Sequence, residues 1–125
     1  MYEQRRSRRV PIKLNLNVSS LFKQDNVQVK NLDADIEVID ISRSGIGFIS
    51  RSVLPLDYFF NAKLDLGEEG NDSGEDQTLY CVVKIIRSRE LGDGRINYGC
   101  QFVGMSSLFS DIFDNLEHRE DRAIR

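Results

Sequence analysis

Two short segments of this chain carry side chains whose types and spacing could read an anion that bears a purine. Residues 5–9 run Arg5-Arg6-Ser7-Arg8-Arg9, and residues 40–45 run Asp40-Ile41-Ser42-Arg43-Ser44-Gly45. Arginine holds a permanent charge and five N–H donors in a rigid fork. It grips phosphate through paired hydrogen bonds, reads the O6 and N7 acceptors of guanine, and stacks on base planes. A carboxylate such as Asp40 accepts from two donors at once, and the N1–H and N2–H₂ edge of guanine presents two. Ser42 either hydrogen-bonds a phosphate or caps the turn. Gly45 permits positive φ and lets a ligand come close to the backbone. Plainer readings stand beside these. A basic N-terminal run also serves as a solvated arm, and Asp-x-Ser-x-x-Gly as a turn between strands. Gly47 can serve strand packing alone, and Arg43 is either a surface charge or a ligand contact.

The elements that must position these groups are strands. Ile12, Leu14, Leu16 and Val18 alternate with Lys13, Asn15, Asn17 and Ser19, the period of a half-buried strand. Gln24-Asp25-Asn26 is a turn signal, Val27 and Val29 continue as strand, and residues 31–33 form a second turn or irregularity. Residues 34–41 are rich in β-branched side chains and form the next strand. Ser42–Gly45 is a tight turn, and residues 45–49 open another strand. Residues 59–66 form a further one. Residues 67–77 are rich in glycine and acid and read as a long loop. Leu79, Cys81, Val83 and Ile85 share one face of residues 78–89. Leu91-Gly92-Asp93-Gly94 is a hairpin turn, and residues 95–103 return with Tyr98, Cys100 and Phe102 on one face. After Gly104 the period becomes helical: Leu108, Phe109, Ile112, Phe113 and Leu116 fall on one side. Ser106 or Ser107 suits the N-cap. The expected architecture is mainly β, a small six-stranded antiparallel barrel with a C-terminal α-helix over a barrel end or sheet edge. Residues 1–9 are a basic N-terminal arm, 10–117 the barrel plus helix, and 118–125 a charged tail.

The bulk composition narrows the classes. A chain of 125 residues is one domain-sized unit, with 40% hydrophobic and 30% charged residues. No stretch reaches the roughly 18 apolar residues that span a bilayer. The N-terminal arginines precede no apolar run, so a secretory signal is not expected and a cytoplasmic location is. Cys81 and Cys100 read as two small buried side chains rather than metal ligands or a disulfide. Net charge is −3, yet residues 5–13 hold five cationic side chains and no acid, while residues 65–76 hold six acids and no base. A cationic arm on an acidic body implies a local anion site rather than a general nucleic-acid surface.

In this order and at this separation, the two segments read as Arg-x-x-x-Arg followed by Asp-x-Ser-x-x-Gly. That resembles the signature of the PilZ domain, a small bacterial β-barrel module that binds cyclic di-GMP. Arg9 leads through Val10-Pro11-Ile12 into the first strand, Asp40 closes one strand and Gly45 opens the next, as in that family. Tyr98-Gly99-Cys100-Gln101-Phe102-Val103 resembles its closing strand. The resemblance spans residues 3 to 117. It implies that Arg5 and Arg9 bind the guanine and phosphate of cyclic di-GMP, with Asp40, Ser42 and Gly45 as the second half of the site. Arg6 and Arg8 are additional cations for phosphate, and Arg43 is a further candidate. No resident cofactor is expected, and the single His118 and the absence of a C-x-x-C pair leave no metal-ligand cluster.

The leading expectation is therefore a cyclic di-GMP receptor that signals by ordering its N-terminal arm and altering a surface for a protein partner. The alternative is a PilZ-like interaction adaptor that does not bind nucleotide. A DNA- or RNA-binding barrel is disfavoured by the acidic body and by aromatics (Tyr58, Phe59 and Phe60) far in sequence from the arm. An enzyme is disfavoured because no nucleophile–base pair, metal set or phosphate-cradling loop is present. No membrane insertion is expected.

Overall fold

A computed structural model describes residues 8–23, 28–66 and 78–105 of the chain. They form one antiparallel sheet of eight strands: β1 (Val10–Val18), β2 (Leu21–Phe22), β3 (Gln28–Val29), β4 (Ala34–Ile41), β5 (Gly45–Ser50), β6 (Phe59–Asp65), β7 (Thr78–Glu90) and β8 (Ile96–Met105). The expected count of six is corrected. Two further strands of two residues each, β2 and β3, pair with one another, and β2 also joins β6. A pair of residues has no readable periodicity, so Leu21–Phe22 carried no strand signal. Residues 1–7 of the basic arm, the acidic stretch 67–77, the helix expected after Gly104 from residue 106 onward and the tail 118–125 lie outside the described residues.

The strand order is β1-β4-β5-β8-β7-β6-β2-β3. Four neighbouring pairs are consecutive in the chain, but β1–β4, β5–β8 and β2–β6 are not. These long-range pairings decide what stands beside what. Val10 lies opposite Ile41, so the start of β1 meets the end of β4, and Gly45 lies opposite Gln101. The sheet curls around its core as a half-barrel. No ladder pairs β1 with β3 among the described residues, so the closed barrel expected from the sequence is corrected to an open, curled sheet. Ile12, Leu14 and Leu16 on this edge are accordingly only partly buried, although they pack against the core.

The core is built from the inward halves of the alternating strands. Ile36 and Val38 of β4, Ile46 and Phe48 of β5, Leu79, Cys81, Val83 and Ile85 of β7, and Tyr98 and Cys100 of β8 are all buried. Phe48 stacks on Tyr98 with ring centroids 5.0 Å apart and meets Phe60 edge-on at 6.0 Å. Each such fully buried ring contributes roughly 1.5–3 kcal/mol of burial. Tyr98 buries its hydroxyl without leaving it unpaired: it donates to Ser52 O at 2.7 Å and accepts from Leu54 N at 2.8 Å. The segment between β5 and β6 is thereby tied to the core. The 91–95 hairpin forms as its Gly-Asp-Gly sequence demands, with positive φ at Gly92 and Gly94 and Leu91 N donating to Arg95 O.

Candidate functional site

Strict alternation would bury the aspartate of the second motif. Ala34, Ile36 and Val38 point inward, and Asp40 shares their parity. A β-bulge prevents this. Between Val38 and Asp40 the β4 strand advances two residues while its partner advances one, from Phe48 to Gly47. The extra residue, Ile39, flips the parity. Ile41 then enters the core and Asp40 turns to the outer face. Gly47 is what allows the carboxylate to lie down there, because a Cβ on Gly47 would stand 2.8 Å from Asp40 Oδ1.

The two sequence motifs meet at this point. Arg9, one residue before β1, donates from Nη1 to Asp40 Oδ1 at 2.6 Å. The pair is 31 residues apart in sequence and is brought together by the β1–β4 ladder. It sits on the rim of a cleft of about 310 Å³ that runs across the outer face over β5 and β8. The far side of that cleft is formed by Arg87, Ser88 and Arg89 of β7, with Asn97 and Gly99 of β8 between. Three arginines line it against one carboxylate, so its field favours an anion.

Ser42 and Gly45 have a different placement from Asp40. Ser42 is fully buried. Its Oγ accepts from Ser44 N at 3.2 Å and Gly45 N at 3.3 Å and lies 3.1 Å from Ser44 Oγ, while Ser42 N donates to Gly45 O at 2.8 Å. Of its two sequence readings, the structure shows the turn cap. Gly45 does not have positive φ. It is required by the close approach of the neighbouring strand: a Cβ there would stand 1.8 Å from Cys100 O on β8. Arg8 and Arg43 are exposed, and Arg5 and Arg6 lie outside the described residues.

The sequence reading names none of Arg87, Arg89 and Asn97, and places Gly99 only in the closing strand. A signal existed: the apolar alternation of β7 stops at Ile85 and is followed by Arg87-Ser88-Arg89 within the same strand. What that signal lacked was a partner strand to place it beside Asp40.

A larger groove of about 610 Å³ lies farther along the same outer face, lined by Asp35, Glu37, Arg51 and Arg95 among others. Its charges balance and are engaged locally. Asn17 Nδ2 spans Asp33 and Asp35 at 2.7 and 2.9 Å, and Arg95 Nε holds Asp93 at 2.9 Å. It offers an anion no comparable attraction.

The two cysteines are buried and unbridged, and burial pushes both thiols up to about 12. Among the described residues no group of His, Cys, Asp and Glu could hold a metal, and no helix is long and apolar enough to cross a membrane.

No curated protein and no solved structure matches the chain. A family model does: the PilZ domain, over residues 3–112. That span covers both arginine-bearing and aspartate-bearing segments and all eight strands, and the chain belongs to the PilZ domain family, a family of cyclic di-GMP receptors.

Proposed function

We propose that the protein is a cyclic di-GMP receptor without catalytic activity, and that the cleft between Arg9–Asp40 and β7 is its binding site. The observation that carries this reading is the 2.6 Å contact between Arg9 and Asp40, which joins the two motif segments at the edge of a cationic cleft. Asp40 accepts from the donor edge of guanine, while Arg9, with Arg5 and Arg6 of the preceding segment, binds phosphate and base. Arg8 and Arg43 add charge at the margin. Ser42 and Gly45 contribute by fixing the turn that follows Asp40, since one is buried and the other packed on β8. Binding fixes residues 1–9 across the sheet, and the surface so formed is read by a protein partner.

Charge-assisted hydrogen bonds contribute about 1.5–3 kcal/mol each. Three or four of them, with stacking, support binding near micromolar, about −8 kcal/mol. Isothermal titration of the full chain with cyclic di-GMP is expected to show saturable heat, and a thermal melt a rise in Tm with ligand. Arg5→Ala, Arg9→Ala and Asp40→Ala should each weaken binding at least tenfold. Absence of both heat and Tm shift at saturating nucleotide would sink the reading in favour of an adaptor that ignores nucleotide.

A further inference from the structure

Arg87 stands at the far end of one continuous cross-strand row, Asp40–Gly47–Gly99–Arg87, which runs over β4, β5, β8 and β7. The two ends of the row are built alike. Leu79, Cys81, Val83 and Ile85 point inward, and Arg87 shares their parity. Between Ile85 and Arg87 the β7 strand advances two residues while β8 moves only from Cys100 to Gly99. The extra residue, Ile86, turns Arg87 out of the core just as Ile39 turns out Asp40. Each polar side chain then lies over a glycine of its neighbour. A Cβ on Gly47 would meet the Asp40 carboxylate at 2.8 Å, and a Cβ on Gly99 would meet Arg87 Cζ and Nε at 2.9 Å. Asp40 comes from β4 and Arg87 from β7, but the glycines they lie over, Gly47 and Gly99, are directly paired on the adjacent strands β5 and β8, which stand about 5 Å apart.

From this pairing we infer that Arg87 is a ligand-binding residue that completes the reading of one guanine. It donates to O6 and N7 of the base whose N1–H and N2–H₂ edge donates to Asp40. Guanine carries these two edges side by side, so an acceptor and a forked donor set next to one another match both at once. Adenine reverses the pattern at its exocyclic group, where N6–H₂ is a donor, and Arg87 then opposes a donor with donors. The inference rests on the reading of the cleft as a guanine-nucleotide site and extends it from binding to base selection.

The test compares cyclic di-GMP with its 7-deazaguanine analogue, which replaces N7 by a carbon, on the full chain and on Arg87→Ala. Arg87 is exposed, so the variant should melt with the wild type. The wild type is expected to bind the analogue about tenfold more weakly than the natural ligand. Arg87→Ala should bind cyclic di-GMP about tenfold more weakly and lose nothing further with the analogue. Arg87→Lys should not restore the preference, because a point charge cannot make the forked contact. Equal losses on the analogue in wild type and Arg87→Ala would overturn the inference while leaving the receptor reading intact. No binding of cyclic di-GMP to the wild type would overturn both.

Discussion

Asp40 and Gly47 show how a single missing methyl group holds a functional side chain in place. Arg9 and Asp40 form a partly exposed ion pair, and such pairs contribute only about 0.2–1 kcal/mol to stability. Asp40→Ala is therefore expected to leave Tm nearly unchanged in a thermal melt while abolishing most nucleotide binding. Gly47→Ala should behave the same way for a different reason. Its new Cβ meets only the end of a side chain, so Asp40 swings aside, the strand survives and the acceptor is lost. Ser42→Ala should do the reverse. Removing a buried Oγ that accepts from two backbone N–H groups costs about 1–3 kcal/mol, visible as a lower urea midpoint. If Ser42→Ala weakened binding without lowering that midpoint, its assignment as a turn cap would be wrong. The residue types of Arg9 and Asp40 were legible in the sequence because guanidinium and carboxylate chemistry needs no geometry to be named. The division of labour within Asp-x-Ser-x-x-Gly was not legible, since a serine that caps and a serine that binds phosphate are written identically.

The strands were legible to the extent that their own periodicity reports them. β4 is found at residues 34–41 as its β-branched run predicts, and β1, β6, β7 and β8 depart from their expected limits by a few residues. Pairing across long stretches of chain leaves no local trace, and both halves of the site depend on it. The β1–β4 ladder brings Arg9 to Asp40, and the β5–β8 ladder brings Gly99 to Gly47. Bulges are equally silent, because Ile39 and Ile86 look like ordinary strand residues, yet each reverses which face the next polar side chain occupies. Gly45 reports how tightly β5 and β8 are joined. Ser44 O accepts from Phe102 N at 2.8 Å beside it, and a Cβ on Gly45 would overlap Cys100 O. Unlike the Gly47 case, the obstacle is backbone and cannot swing away. Gly45→Ala should therefore cost about 4 kcal/mol or more, read as a large fall in the denaturation midpoint, and should part β8 from β5. Gly47→Ala supplies the internal comparison: two glycines two residues apart, both in β5, with opposite effects on stability and binding.

Taken together, the half-barrel keeps its chemistry on the outer face and its inert groups inside, and the thiols make that division measurable. Cys81 and Cys100 lie in the core, where burial pushes each from 9.0 up to about 12. For Cys100 the nearby Arg87 pulls the other way without overcoming burial. Tyr98 is shifted up as well, chiefly by burial and against the hydrogen bond from Leu54. In each case the folded state holds its proton to higher pH than the unfolded chain does. Between pH 9 and 12 the unfolded state therefore binds fewer protons, and stability must fall as pH rises. Below about pH 8 these groups are essentially protonated in both states and contribute no pH dependence. Urea unfolding followed from pH 7 to 11 should show a flat midpoint up to about pH 8 and a decline that steepens through pH 9. Replacing both cysteines by alanine should flatten much of that decline, although the baseline drops through lost packing. Because thiolate is the nucleophile, native protein should react with a thiol reagent at pH 8 only as fast as it unfolds. Rapid labelling of both cysteines under native conditions would mean that β7 and β8 separate readily, and the glycine-floored cleft they help to form could not then be a fixed site.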